Sequence, residues 1–276
     1  MSGEDFTGPD LGLIANNYPE FYELAKKYDE DGYAILDLDI STNFNVSIIE
    51  DIKNIITKST FKKNPEIYHY NESPRIVEAW KQSMHIKDLA LNLDILNVLT
   101  VLYGKKPLPF STINFVRGTE QPLHSDYIHF GSLPEFYLAG AWVALEDISK
   151  DCGPLSIVKG SHKTPIISFQ DLGFEELPTT TKKIKEYYTR YEDWLSGYIK
   201  DNNLEIETPL LKAGQVLIWS ANLFHGAQKI NNPKLTRYSQ VTHYHFDGCE
   251  KFYNPNFSNR KHNKFAERDV LSSIIS

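Results

Sequence analysis

The sequence contains little cysteine, with only Cys152 and Cys249 in 276 residues. Two cysteines are too few for a disulfide framework, which favours a reducing compartment. Long apolar runs are also missing, because no window approaches the ~18 uninterrupted apolar residues of a membrane span. The opening segment, MSGEDFTGPD, is acidic and lacks the basic-then-apolar layout of a signal peptide. These absences predict a soluble, cytoplasmic protein with no membrane partner.

Positive charge is in deficit, since 29 Lys and Arg stand against 36 Asp and Glu, a net charge of −7. A protein that binds the nucleic-acid backbone needs basic residues clustered on one face. The densest basic stretch, Lys182 to Arg190, is interleaved with and followed by acidic residues, which is typical of a solvated helix face. We therefore expect no nucleic-acid partner and a small-molecule substrate, while the sequence leaves the oligomeric state open.

Aromatic residues are abundant, at 13% of the chain, and the residue pattern changes along it. Before about residue 110 helical and strand patterns mix, including a helical pattern over 75–103. From about 110 onwards, short β-rich runs alternate with Gly, Pro and Asn, as in an antiparallel sandwich or small barrel. A helical insert over about 165–209 carries an aromatic stripe, which either packs on the barrel or forms a lid over the substrate.

The segment Gln121-Pro-Leu-His-Ser-Asp126 carries a candidate metal site. Side chains two residues apart on a strand share a face, so His124 and Asp126 can converge on one point. His225, which follows a buried-looking strand, is the best candidate for a third ligand. Two histidines and one carboxylate on one side of a metal form the facial triad of non-haem Fe(II), with the other positions open.

A second polar pair lies downstream at Arg237 and Ser239, which share a face by the same rule. A guanidinium can bind a carboxylate through two hydrogen bonds, and a hydroxyl beside it would complete the cradle. Such a pair suits a cosubstrate with a free carboxylate at its far end. Without its neighbours, Arg237 would be read as part of an ordinary surface ion pair.

Several segments together resemble the phytanoyl-CoA dioxygenase-like branch of the Fe(II)/2-oxoglutarate oxygenases. The resemblance is loose from Tyr28 and firm from Asn114 to Phe246. Its segments are His124-Ser-Asp126, Ala141-Trp-Val-Ala-Leu-Glu-Asp147, Asp151-Cys-Gly-Pro-Leu-Ser-Ile-Val-Lys-Gly-Ser-His-Lys163, His225-Gly226 and Arg237-Tyr-Ser239. The Gly-Pro-Leu to Gly-Ser-His-Lys stretch is far more specific than a lone His-x-Asp.

The resemblance implies a mainly β fold with flanking helices, a double-stranded β-helix (jelly-roll, cupin-like) barrel. We expect a single domain over 1–276. Its helical N-terminal part would span about 1–110, and its jelly-roll core about 110–247, with the helical insert at about 165–209.

The resemblance also implies Fe(II), 2-oxoglutarate and O2 as cofactor and cosubstrates. Iron would be held by His124, Asp126 and His225, and the distal carboxylate of 2-oxoglutarate by Arg237 with help from Ser239. Trp142 and Asn114 fall where relatives contact the cosubstrate. Ala227 replaces a Ser found in some relatives, which removes one polar contact. Asp126 is present, whereas halogenating relatives have Gly or Ala there.

The expected activity is therefore hydroxylation of a small-molecule metabolite or biosynthetic intermediate, with release of succinate and CO2. The alternative is a non-redox metal-binding cupin-like protein, an isomerase or ligand-binding protein, because the same three ligands can hold zinc. Of the other histidines, we expect His129 in a solvated loop, and His243 and His245 in core hydrogen bonds. The chain from Glu250 is expected to form a surface or an oligomer contact.

Overall fold

A computed structural model describes residues 4–59, 67–70, 73–259, 262–268 and 274. The helices and strands follow in chain order as α1 (Leu11–Asn17), α2 (Tyr22–Asp31), β1 (Tyr33–Asp37), α3 (Thr42–Ser59), β2 (Ile67–Tyr70), β3 (Ser73–Val77), α4 (Met84–Ala90), α5 (Leu93–Tyr103), β4 (Pro107–Phe115), β5 (Gly131–Leu133), β6 (Leu138–Ala144), β7 (Leu155–Val158), α6 (Thr181–Asp201), β8 (Ile206–Glu207), β9 (Gln215–Ser220), β10 (His225–Ala227), β11 (Ser239–Phe246) and β12 (Lys251–Tyr253). Short 3-10 turns lie between some of these elements.

The strands form two main antiparallel sheets. The large sheet has seven strands in the order β1-β9-β6-β11-β4-β3-β2, and the small sheet has three in the order β10-β7-β8. A separate pair joins β12 to β5. The predicted jelly roll, a mainly β fold with flanking helices, is confirmed. The large sheet also includes β1, β2 and β3 from the N-terminal part, so both of its edge strands lie outside the predicted 110–247 core. The single-domain extent over 1–276 stays a prediction.

Two hydrophobic clusters cover the two faces of the large sheet. One packs helices against it, with Ile48, Ile52 and Leu99 among its buried members. The other fills the space between the sheets, where Trp142 and Leu217 of the large sheet meet Ile157 of the small one. Strands β6 and β11 are buried along their whole length; β6 is accordingly apolar throughout, whereas β11 alternates apolar residues with Ser, Gln, Thr and His. The space between the sheets is where inward polar residues would meet.

The helical pattern predicted over 75–103 is wrong at its start. Residues 73–77 form β3, which pairs with β4 so that Arg75 lies opposite Phe115. The helices begin at α4, where the Ser83 side chain accepts a hydrogen bond from the backbone N–H of Ile86. Pairing with a distant strand thus overrides the local periodicity of this segment.

The aromatic stripe of α6 divides between two environments. Tyr187, Tyr191 and Leu195 are buried in a cluster with Phe169 and Phe224, so most of the stripe packs on the barrel. The partly exposed Tyr188 lies at a cavity instead. Among the described residues, no helix is both long enough and apolar enough to cross a membrane.

Candidate metal and cosubstrate site

The structure brings His124, Asp126 and His225 together between the sheets. His124 and His225 form an isolated β-bridge, with reciprocal backbone hydrogen bonds of 2.9 Å. Asp126, two residues after His124, begins a 3-10 turn. The carboxylate lies 3.8 Å from Nε2 of His124 and 3.7 Å from Nε2 of His225. One ligand atom from each residue lies within 4.8 Å of the others, so the three can share one metal ion.

The hydrogen bonds of the two imidazoles orient them for metal binding. Nδ1 of His124 lies 2.9 Å from the Pro122 carbonyl, and Nδ1 of His225 lies 3.0 Å from the Leu223 carbonyl. Because a carbonyl oxygen only accepts, each Nδ1 carries a proton, so Nε2 is the nitrogen of each ring that can bind a metal. The Gln121 side-chain amide lies 3.0 Å from Nε2 of His124, consistent with that nitrogen acting as an acceptor.

The charges at this centre match a metal-ligand set. Burial and the neighbouring His225 lower the pKa of His124 to about 3, so its ring is neutral near pH 7. Burial of Asp126 opposes its ionisation, but the nearby His225 and His243 outweigh burial and hold the carboxyl pKa below its ordinary value. The site therefore presents a neutral His124 ring and an ionised Asp126 carboxylate, two of the protonation states that metal binding requires.

A cavity of about 220 Å³, which we call the central cavity, connects this centre to a buried cation. Arg237 lies in its wall and is 2% exposed. One guanidinium nitrogen donates to the Gly153 carbonyl at 2.7 Å, while Nε has no hydrogen-bond partner in the described part of the chain. Among the described residues no carboxylate pairs with Arg237, and burial lowers its pKa to about 10. Arg237 is thus a buried cation in the wall of this cavity, without a paired carboxylate among the described residues.

The other predicted cosubstrate residues are placed differently. Trp142 lines the central cavity, its Nε1 has no hydrogen-bond partner among the described residues, and its ring centroid lies 5.7 Å from the Arg237 guanidinium. Ser239 lies beside Arg237, but it is absent from the cavity wall, and its hydroxyl donates to the Arg237 carbonyl at 3.3 Å.

Asn114 is not brought to the central cavity. Along β4, Ile113 and Phe115 line it, so the residue between them faces the opposite side of the sheet. The Asn114 amide donates there to Gln240 at 3.1 Å. The expected cosubstrate contact would require the other strand face, so Asn114 is not among the residues that the structure brings to the cavity.

Several residues at the site were not assigned to it from the sequence. Trp219 and His243 both contact the Asp126 carboxylate. His129 lines the central cavity, and its Nδ1 lies 3.1 Å from the amide of Asn256, in the segment after Glu250. His243 was expected to make a core hydrogen bond, but no local signal identified Asp126 as its partner.

A second cavity of about 220 Å³ shares His124 and His129 with the central cavity. We call this second cavity the mouth. Tyr188 and Glu192 of α6 line it. The helical insert therefore lines a cavity beside the metal centre, although most of its aromatic stripe is core.

Comparison with known proteins supports the resemblance seen in the sequence. The family model of phytanoyl-CoA dioxygenase (PhyH) matches residues 23–238, more than half of the chain. A probable phytanoyl-CoA dioxygenase from Caenorhabditis elegans is 27% identical over 166 residues, which is 55% of this chain and 48% of that protein. The chain thus spans about half the length of this curated relative.

Solved structures share the fold at low identity. EctD from S. alaskensis with bound Fe has a TM-score of 0.65 at 21% identity, covering 84% of this chain and 78% of that one. The epimerase SnoN in complex with Fe3+, alpha ketoglutarate and nogalamycin RO has a TM-score of 0.62 at 18% identity, covering 84% and 85%. Together with the family match, these observations confirm the predicted resemblance: the chain belongs to the phytanoyl-CoA dioxygenase family.

Proposed function

We propose that this chain is an Fe(II)/2-oxoglutarate-dependent dioxygenase that hydroxylates a small molecule and releases succinate and CO2. The observation that carries the proposal is the pairing of two groups in one cavity. A cluster of two imidazoles and one carboxylate lies at one end, and a buried guanidinium without an anionic partner lies in the wall. A 2-oxo acid with a second, distal carboxylate has the functional groups for both.

The residues fit the metal. His124 and His225 each offer an imidazole nitrogen and Asp126 offers a carboxylate oxygen, which is the ligand set of non-haem Fe(II). Three protein ligands leave coordination positions open for cosubstrate and oxygen. The solved structure of SnoN contains Fe3+ and alpha ketoglutarate, and that of EctD contains bound Fe.

Arg237 fits the cosubstrate. A buried guanidinium is stabilised when a carboxylate binds it through two hydrogen bonds, and its unpartnered Nε provides one of the donors. Trp142, whose indole N–H is also unpartnered, provides a further donor in the same wall. Ser239 holds the Arg237 backbone, so we assign it an indirect role.

When bound, the iron would supply the redox chemistry, using 2-oxoglutarate as reductant and O2 as oxidant. The chain itself would bind and orient the 2-oxo acid and exclude water from the cavity. Arg237 sets the orientation of the 2-oxo acid, and the aromatic residues Phe115, Phe130 and Trp142 give the cavity water-excluding walls. The substrate would enter through the mouth, beside Tyr188 and His129.

The alternative is a non-redox metal-binding protein of the same fold. Zinc accepts the same ligands. A hydrolytic or isomerising site, however, has no use for an unpaired guanidinium buried in the same cavity, so the geometry favours the oxygenase. SnoN shares this fold and is an epimerase, so the fold alone does not specify hydroxylation. Hydroxylation by this chain is therefore a proposal, and its product has to be measured.

The test is succinate formation from 2-oxoglutarate with Fe(II) and air, combined with a metabolite screen for products heavier by one oxygen. Asp126→Ala and His225→Ala should abolish succinate formation, while Asp88→Ala, which removes an exposed carboxylate on α4, should not. Anaerobic Fe(II) and 2-oxoglutarate should give the wild type a weak visible charge-transfer band. Metal binding without that band or succinate would favour the non-redox alternative.

A further inference from the structure

One oxygen of the Asp126 carboxylate has two neighbouring donors. Oδ2 accepts a hydrogen bond from the indole Nε1 of Trp219 at 2.9 Å and lies 3.2 Å from Nε2 of His243. Because an ionised carboxylate only accepts, Nε2 of His243 must carry a proton. Two donors on one oxygen fix both the position and the plane of the carboxylate.

Three adjacent strands place these donors at one level. Gly140 of β6 lies opposite Trp219 of β9 on one side and opposite His243 of β11 on the other. A Cβ added to Gly140 would lie 2.3 Å from Cε2 of Trp219 and 2.5 Å from its Nε1. A glycine within a strand commonly marks such a close approach. The missing side chain gives the indole room to reach Asp126.

Within the described residues, His243 makes no other polar contact that would explain its position. It is 3% exposed, and its Nδ1 has no hydrogen-bond partner among the described residues. Burying a polar group with an unmet hydrogen bond is destabilising. The hydrogen bond to Asp126 is thus the polar contact that holds the His243 side chain in place.

His245 provides an internal comparison. It lies two residues further along β11, on the same face, and is fully buried. Its Nδ1 lies 3.2 Å from the carbonyl of Tyr137, and it makes no contact with Asp126. The two histidines therefore share strand, burial and chemistry but differ in their polar partner.

We propose that His243 is a positioning residue which, together with Trp219, clamps Oδ2 of Asp126 and presents the carboxylate to the metal in one fixed orientation. The clamp would favour metal binding through Oδ1 alone, because both donors occupy lone pairs of Oδ2. A carboxylate bound through one oxygen leaves a coordination position free for cosubstrate. This inference rests on the metal centre of the proposed function.

The test is direct metal binding without cosubstrate or oxygen. The metal-free wild type, His243→Ala, His243→Gln and His245→Gln are titrated with Mn(II), and free Mn(II) is measured by electron paramagnetic resonance. Partners that orient metal ligands commonly contribute about 10- to 100-fold in affinity, so His243→Ala should bind Mn(II) that much more weakly. His243→Gln, which keeps a donor of similar reach, should recover most of the loss, and His245→Gln should bind like the wild type.

A purely structural role for His243 would lower the unfolding temperature without selectively changing the Mn(II) affinity. Wild-type affinity in His243→Ala would therefore overturn the proposal, as would an equal loss in His245→Gln. If His243→Ala fails to fold, Trp219→Phe removes the other donor and keeps an aromatic ring. Weaker Mn(II) binding in that variant supports the clamp, and unchanged binding overturns it.

The two proposals fail in different measurements. A wild type that binds Mn(II) but forms no succinate overturns the oxygenase assignment, while the affinity differences between variants still test the clamp. Succinate formation by the wild type with unchanged Mn(II) affinity in His243→Ala overturns the clamp alone.

Discussion

Replacement of Arg237 by methionine should make the protein without cosubstrate more stable while abolishing its response to 2-oxoglutarate. Methionine keeps an unbranched side chain of similar reach and removes the charge. Arg237 is 2% exposed, donates to the Gly153 carbonyl, and has no carboxylate partner among the described residues. An unpaired buried charge destabilises the folded state, and replacing buried ionic groups by apolar ones is often stabilising.

The magnitude follows from the pKa. Burial lowers the pKa of Arg237 to about 10, against an ordinary value above about 12. At about 1.4 kcal/mol for each tenfold change, keeping the buried group protonated costs about 3 kcal/mol. Loss of the hydrogen bond to the Gly153 carbonyl would destabilise the variant by about 1 kcal/mol. The variant should therefore be more stable by about 2 kcal/mol, or roughly 4–8 °C in unfolding temperature.

The sign can be checked against pH. The pKa is lower in the folded state, so the unfolded chain binds the proton more tightly. The destabilisation is complete at neutral pH and declines only above about pH 10. Measurements near pH 7 therefore record the whole effect.

The assay is thermal unfolding with Mn(II), with and without 2-oxoglutarate. A ligand that binds only the folded state raises the unfolding temperature, so the wild type should respond and Arg237→Met should not. Arg117→Met, at an exposed position, serves as the control and should leave both the unfolding temperature and the response unchanged. An Arg237→Met variant that unfolds several degrees lower and keeps the full response would refute the reasoning.

Three further predictions concern residues around the site. Asn114→Ala should leave the 2-oxoglutarate requirement of succinate formation unchanged and reduce stability by about 1–3 kcal/mol, because it removes a buried partner of Gln240. Gly140→Ala should lower the free energy of unfolding in urea by about 1–3 kcal/mol, because its Cβ would overlap Trp219. Burial lowers the pKa of His245 to about 3, so the wild type should lose stability as pH falls from about 6.5 towards 3; His245→Gln should lose up to about 1.4 kcal/mol less per pH unit, measured by unfolding temperature against pH.

Each of these predictions has a contradicting outcome. A raised 2-oxoglutarate requirement in Asn114→Ala would return that residue to the cosubstrate site. Wild-type stability in Gly140→Ala would mean that the indole of Trp219 can move without loss. Identical pH profiles for the wild type and His245→Gln would show that His245 is not held neutral by burial.

The sequence by itself determined the parts that local chemistry specifies. His124 and Asp126 are two residues apart and come together with His225, and Arg237 was expected to share their cavity as the structure has it. The jelly roll could be predicted because short β-rich runs separated by turn residues suit antiparallel pairing. The family could be predicted because several short segments occur in the same order as in its members, and the family match confirms it.

Only the tertiary structure decided which partners these residues meet. Asn114 belongs to the expected segment, but the alternation along β4 turns it towards Gln240 and away from the central cavity. The contact of Asp126 with Trp219 and His243 depends on β9, β6 and β11 lying side by side. Strand order and register are set by packing between segments distant in sequence, so no local pattern carries them.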